Sequence, residues 1–199
     1  FRSTQPRLLG LPVAEMATSQ FALAAVEQPT PENPWELLQG DRGVDQHGRL
    51  VVPVFVDRNT AFYSLRLYQV GDRYEGRDAF GQPVVYEVAG MLLNSVLQGD
   101  FLLSESNLLR LFPETNGRQF FLIDTASDAD LRRVATTLES QLEDYGFDAL
   151  ETKRRLAELL AVQNTYLSTF QSLGLLGLLL GAAGLAAVQV RSVMERRPE

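Results

Sequence analysis

Short hydrophobic runs separated by turn residues fill the first 150 positions of the chain and predict a mixed α+β fold. Apolar and β-branched residues cluster in four segments that predict strands: 21–26, 50–56, the start of 101–113, and 119–124. Pro53 has no backbone N–H to donate to a neighbouring strand. The strand that contains it is therefore expected at a sheet edge or beside a bulge.

A β-hairpin is predicted within residues 70–93. Two β-rich runs flank a Gly-Gln-Pro turn there, and Val84, Tyr86 and Val88 alternate toward one face. These three side chains are thus expected on the same face of the second strand.

Helix start and stop residues mark two further elements. Ser104 is a predicted N-cap of a short helix that ends at Pro113, and Ser127 with Asp130 is a capping signal for a longer helix that ends at Gly146. The longer helix has an apolar face made by Leu131, Val134, Ala135, Leu138, Leu142 and Tyr145. Short helical turns are expected at 35–38 and after the Asp-Arg-Asn-Thr sequence that begins at position 57.

The C-terminal part of the chain is apolar over a membrane-length stretch. No charged residue occurs from Leu159 to Val190, and every residue from 173 to 188 is apolar. A buried core helix has a similar composition, but Tyr166 and Phe170 stand where an interfacial aromatic belt is expected, and basic residues follow. The basic residues are Arg191, Arg196 and Arg197. A transmembrane helix is therefore predicted.

The predicted organisation has four parts: an α+β domain at 1–150, a stalk helix at 151–169, a transmembrane helix at 170–190, and the start of a cytoplasmic segment at 191–199. The α+β domain contains short strands and two or three helices. The arginines after the span favour a cytoplasmic C-terminal side. Three basic residues at 153–155 precede the span, so the difference in positive charge between its two sides is small. Residues 1 to about 168 are expected outside the cytoplasm.

Alternating steps of four and three residues define a seam along the stalk and the span. Its stalk part contains Leu156, Leu160, Leu167 and Phe170, together with Gln163. It continues into the glycine face, which consists of Gly174, Gly177, Gly181 and Gly184. Small residues on one face let two membrane helices approach closely, although glycine and alanine are also simply frequent in such helices. The seam predicts a packed, rigid helix of roughly 40 Å at 1.5 Å per residue.

The amino-acid composition argues against several classes of binding site and active site. The formal net charge is −7, from 18 basic and 25 acidic residues, so a nucleic-acid partner is not expected. The chain has no cysteine and one histidine, His47, which is expected to be an exposed turn residue. Neither a nucleotide-binding glycine loop nor a serine-hydrolase motif occurs in the sequence. No catalytic residue, cofactor or metal site is predicted.

Two carboxylate pairings leave a cation site open as an alternative. Asp57 lies near Asn59 in sequence, and Asp72 lies near Asp78. Such residues more commonly stabilise turns by accepting backbone hydrogen bonds, and this role is predicted for both pairs.

The sequence NTYLSTFQSLGLLGLLLGAAGLAAVQVRSVMERR, residues 164–197, resembles part of an FtsX-like ABC-transporter permease of the MacB-like kind. In that family the corresponding stretch joins the extracytoplasmic domain to a transmembrane helix. Upstream blocks also resemble the periplasmic domains of these permeases: FRSTQPRLLGLP, NPWELLQGD, VPVFVDRNTAFYSLRLYQVGD, VAGMLLNSVLQGDFLLSESNLLRLFP and FFLID. The similarity covers nearly all of the chain and is most specific after Asn164.

The resemblance implies a noncatalytic subunit in a bacterial inner membrane. Such permeases dimerise and pair with a cytoplasmic ABC ATPase, which hydrolyses ATP. They transmit ATP-driven movement to the extracytoplasmic side, for export, lipoprotein release or regulation of the cell envelope. The remaining membrane helices and the ATPase-coupling region of such a permease are missing from this sequence, so we expect it to be a fragment that does not transport by itself.

Two other classes of protein remain open. A membrane receptor with an extracytoplasmic ligand-sensing domain would also connect to a span through a stalk helix. A membrane-anchored enzyme would need two converging carboxylates, such as Asp57 and Asp72, in one cleft.

Overall fold

The computed structural model describes residues 6–115, 117–125 and 127–195. The side chains of 128, 129, 160, 162–166, 193 and 195 lie outside that description. The chain divides into two compact units, Phe1–Arg132 and Arg133–Glu199. The first unit has a mixed sheet with helices and the second contains one long apolar helix, so the α+β class predicted from the sequence is confirmed.

The first unit is built on a six-stranded mixed sheet. The strands are β1 (Arg7–Leu11), β2 (Leu23–Val26), β3 (Leu50–Asp57), β4 (Arg73–Arg77), β5 (Pro83–Leu92) and β6 (Asp100–Ser104). Their order is β1-β6-β3-β5-β2, and β4 also pairs with β5. β1 runs parallel to β6 and β3 runs parallel to β5, whereas β2 and β4 are antiparallel to β5.

Both faces of the sheet are buried, because β3 and β5 carry apolar side chains at nearly every position. Val54 and Val56 point into one core cluster, and Phe55 points into the other. Tyr86 and Val88 join the first cluster, as the predicted alternation requires.

Short helices cover the two faces. Leu111 of α1 (Glu105–Leu111) and Ala61 of a π-helical turn at Thr60–Leu65 pack in the first cluster. Trp35, in a 3₁₀ helix at Pro34–Leu38, packs in the second, with its ring centroid 5.2 Å from that of Phe55. A further 3₁₀ helix, Glu15–Thr18, adds Met16 to the second cluster.

The edge position predicted for the strand that contains Pro53 is wrong, because β3 lies between β6 and β5. The bulge alternative is correct: the β3–β5 register shifts between Val54 and Phe55, directly after the proline. On the other side, β3 pairs with β6 only at Phe55 and Val56. Pro53 therefore occupies a central strand where the β6 ladder does not require its N–H. The shift places Gly90 opposite Phe55, where a Cβ would lie 2.8 Å from the ring.

The hairpin and the capped helix follow the sequence predictions. β4 and β5 form an antiparallel pair, and Ser104 accepts a hydrogen bond from the backbone N–H of Asn107 at the start of α1. The buried Asn107 side chain donates to the carbonyl oxygens of Leu38 and Gly40, at 3.1 and 2.5 Å. These bonds fix α1 against the chain that leaves the 3₁₀ helix.

The strand predicted over 119–124 is wrong. This segment pairs with no described strand, and the side chains of Phe120 to Ile123 are 42–55% exposed. A hydrophobic run forms a strand only where a neighbour supplies hydrogen bonds. The edge next to β6 is taken instead by β1, which the sequence interpretation had not assigned.

Two α-helices follow. α2 (Asp128–Gln141) begins with the predicted cap, since the Ser127 hydroxyl accepts from the backbone N–H of Asp130 at 3.2 Å. A 3₁₀ turn at Glu143–Tyr145 extends it, and Gly146 ends that turn with a φ of +67°. The predicted apolar face is half-buried except at Tyr145, which is exposed. The second unit then consists mainly of α3 (Thr152–Glu195), 44 residues without interruption.

Candidate functional site

α3 includes one segment, Leu167–Ser192, that is long and apolar enough to cross a membrane. None of its most apolar window is buried within the described chain. Large side chains on several sides of the helix, including Leu175, Leu179 and Leu185, are exposed. A surface of this kind requires lipid or another apolar partner, since exposed apolar area of this size is unfavourable in water.

The glycine face lies within this segment. At about 100° per residue its four positions fall within an arc of roughly 80° on one side of the helix. Apart from the adjacent residues and the backbone of the helix itself, no described atom lies within 4 Å of the place where a Cβ would stand at Gly174, Gly177, Gly181 or Gly184. The described chain thus leaves this face open, and whether another helix packs on it stays a prediction.

The stalk part of the seam is also largely uncovered. Leu156 is half-buried, whereas Leu167 and Phe170 are exposed. Leu160 lies in α3, but its side chain is outside the description. Of the predicted cytoplasmic anchors, Arg191 lies exposed near the C-terminal end of α3, and Arg196 and Arg197 lie outside the described residues.

The carboxylates that had left a cation site open are used in local structure. The buried Asp57 accepts hydrogen bonds from the backbone N–H groups of Asn59, Thr60 and Ser95, at 2.9, 3.4 and 3.0 Å. Asp72 accepts from Tyr68 and Gln69. This is the predicted turn chemistry.

Asp78 and His47 also have the roles expected of turn residues. Asp78 accepts from the backbone N–H groups of Phe80 and Gln82, at 2.9 and 2.8 Å, inside the β4–β5 turn. His47 is exposed in a turn, and its backbone N–H donates to Asp45. Within the part of the chain that the structure describes, no cluster of three or more His, Cys, Asp or Glu residues could hold a metal ion.

A groove of about 480 Å³ opens on the first face of the sheet, between α1 and the β4–β5 hairpin. Leu8, Tyr74, Leu108 and Phe112 give it an apolar lining. The backbone N–H of Ala79, in the hairpin turn, donates to the carbonyl of Leu111 at 3.0 Å. This bond ties the turn to the end of α1.

Tyr86 of β5 lies at the floor of this groove and is only 3% exposed. Its ring packs on Phe101, with centroids 5.6 Å apart, and lies against the backbone of β4 at Gly76. A Cβ at Gly76 would lie 2.5 Å from Cε2 of Tyr86, so this close approach requires glycine. The Tyr86 hydroxyl has no hydrogen-bond partner among the described residues.

The surroundings of that hydroxyl disfavour its ionisation. Burial, reinforced by the negative charge of Asp78, raises the pKa of Tyr86 to about 12. Arg77 also lines the groove, and its Nη1 donates to the carbonyl of Gly81 at 2.8 Å. The polar side-chain groups that line the groove from the hairpin are therefore the hydroxyls of Tyr74 and Tyr86, the Asp78 carboxylate and the Arg77 guanidinium.

Sequence reasoning had placed Tyr86 only as one of three positions on the same face of a strand. The groove depends on β1 and α1 approaching the hairpin, and β1 had not been assigned. The one local signal was Gly76, a glycine within a strand, which often marks close backbone approach.

Comparisons of the chain with protein-family models, with curated proteins and with solved structures give no match. The resemblance to FtsX-like permeases therefore remains a prediction from the sequence, and the geometry of α3 is the main support for a function.

Proposed function

We propose that this chain belongs to an ABC-transporter permease of the FtsX/MacB-like type. In this role it is a noncatalytic membrane subunit that carries ATP-driven movement from a cytoplasmic ATPase to the extracytoplasmic side. The observation that supports this most is the continuity of α3, in which the stalk and the candidate span form one unbroken helix.

An unbroken helix is suited to mechanical transmission. At 1.5 Å per residue, the 44 residues of α3 extend about 66 Å. Its hydrogen bonds lie within the segment, so a shift or rotation imposed at one end moves the other end. A flexible linker would lose such a movement.

The open glycine face supports a second copy of the permease as a partner. Four small residues on one side allow backbone contact between membrane helices. The proposal places residues 1 to about 168 outside the cytoplasm of a bacterial inner membrane and the ATPase on the other side. ATP hydrolysis then belongs to the partner and not to this chain.

The test uses the full-length protein that carries this chain, reconstituted in nanodiscs with the ATPase that co-purifies with it. A spin label is attached at Val44→Cys, an exposed site on the first unit, with cysteines elsewhere replaced. Electron–electron distances between two copies are then measured without nucleotide and with ATP and vanadate. We expect a nucleotide-dependent change in this distance.

A stalk variant separates transmission from assembly. Ala157→Pro removes a helical hydrogen bond and kinks α3, whereas Ala157→Ser keeps the helix continuous. The proline variant should retain the ATPase but lose the distance change, and the serine variant should retain both. The proposal is wrong if no ATPase co-purifies, or if the proline variant transmits as well as the wild type. Co-purification of a signalling kinase instead would favour the receptor alternative.

A further inference from the structure

The groove over Tyr86 contains a buried hydroxyl whose missing hydrogen bond destabilises the folded protein. A tyrosine hydroxyl removed from water needs a hydrogen-bond partner, and this one has none among the described residues. Gly76 and Phe101 hold its ring from two sides, so the side chain cannot swing out of the core to place the hydroxyl in bulk water. A bound molecule that supplied the missing partner would be stabilised by the same contact.

The lining indicates what such a molecule would look like. Ligand sites in proteins commonly enclose 300–1,000 Å³ and combine apolar walls with a few polar groups. This groove falls in that range at about 480 Å³, and Leu8, Leu108 and Phe112 contribute apolar walls. An aromatic or branched aliphatic group matches these walls.

The charged groups around the groove indicate which polar group a bound molecule would have. A tyrosine hydroxyl with the ordinary pKa of about 10 is already protonated at neutral pH, and burial and the Asp78 charge raise the pKa of Tyr86 further, to about 12, so this hydroxyl keeps its proton. It can therefore donate to an oxygen acceptor. The Asp78 carboxylate disfavours an anionic acceptor nearby, and the Arg77 guanidinium is drawn to the Gly81 carbonyl. A neutral carbonyl oxygen suits this arrangement best.

We propose that this groove binds a small neutral molecule that has an aromatic or branched aliphatic body and a carbonyl oxygen, which accepts a hydrogen bond from Tyr86. The site is separate from the glycine face and does not depend on the permease assignment.

The probes that test this are 4-fluoroacetophenone and 4-fluorocumene. They have nearly the same size. The second has an isopropyl group where the first has an acetyl group, so a methyl group takes the place of the carbonyl oxygen. Binding to the full chain in lipid nanodiscs is measured by ¹⁹F NMR titration, with protein-free nanodiscs to correct for partition into lipid. The wild type should bind the ketone about three- to tenfold more tightly than the hydrocarbon, as expected for one hydrogen bond.

Two variants locate the contact. Tyr86→Phe removes only the unpaired hydroxyl, so it should fold at least as stably and should bind both probes equally. Thr115→Trp fills the rim of the groove and should abolish binding of both probes, whereas Leu109→Trp, an exposed site on α1 outside the groove, should not.

The proposal is overturned by any of three results. These are no saturable binding of the ketone to the wild type, equal affinity of the wild type for both probes, and a ketone preference that survives Tyr86→Phe or Thr115→Trp. None of these results bears on the ATPase or on the packing of α3, so failure here is distinguishable from failure of the permease proposal.

Discussion

Among single residues, Asp45 shows how a loop is held by one carboxylate. Its side chain is 4% exposed and accepts from the backbone N–H groups of His47 and Arg49, both at 2.9 Å. It also accepts from Nε of Arg49 at 2.7 Å, and Arg49 pairs in turn with Glu75 of β4. These bonds, with the Arg49 backbone N–H contributing most, lower the pKa of Asp45 to about 2. The carboxylate thus joins the 45–49 turn to the hairpin.

This lowered pKa predicts an acid-dependent loss of stability. The unfolded-state pKa of an aspartate is about 3.9, so the stabilisation is complete above that pH and is lost as pH falls toward 2. In Asp45→Asn the melting temperature should be lower at pH 7 and should change less between pH 5 and pH 2. Thermal unfolding across this range checks the prediction.

Asp144→Asn, at an exposed position after α2, is the matched control and should keep the wild-type profile. Equal pH dependence in Asp45→Asn and the wild type would show that Asp45 does not supply this stability.

At the level of secondary-structure elements, α1 depends on the residue that precedes it. Ser104 ends β6 and caps α1, accepting from Asn107 N at 3.2 Å, and its hydroxyl is buried. Ser104→Ala should lower the free energy of unfolding by about 1 kcal/mol, because the amide of the first turn loses its acceptor. The exposed Ser106 hydroxyl contacts that of Ser104 at 3.1 Å, and no backbone amide among the described residues donates to it, so Ser106→Ala should change the free energy of unfolding by less than half as much. Chemical denaturation measures both, and equal effects would contradict the capping role.

The elements that could be predicted from the sequence are those whose signals are local. The Ser104 cap and the hairpin turn act within a few residues, and α3 is recognisable from composition alone. The failures involve partners distant in sequence. β1 is a strand because β6 offers its edge, and Arg7 pairs with the buried Asp100 through two 2.8 Å bonds. Residues 119–124 are as hydrophobic as a strand but pair with no described one.

The same distinction applies to the candidate sites. The glycine face was predictable, because helical periodicity places its residues on one side whatever surrounds them. The groove was not, since Leu8, Tyr86 and Leu108 come from three distant segments. An unpaired hydroxyl is a property of the assembled core, and the residue type alone does not show it.

For the whole molecule, a folded α+β unit is combined with one long helix whose apolar surface and glycine face are not covered by any described residue of the same chain. A dimeric permease would cover the glycine face with its own copy and the rest with lipid. A receptor stalk or a simple anchor needs no preferred face. Self-pairing through the glycines therefore distinguishes these possibilities most directly.

The decisive measurement is disulfide cross-linking of the full-length protein in native membranes. This chain has no cysteine; with any cysteine elsewhere in the full-length protein replaced, single cysteines are placed at Gly174, Gly177, Gly181 and Gly184, and at the off-face positions Leu176 and Leu179. The account predicts cross-linked dimers at the glycine positions and few or none at the two leucines. Equal cross-linking on both sides, or none at the glycines, would contradict a self-paired helix and favour an anchor or a receptor stalk.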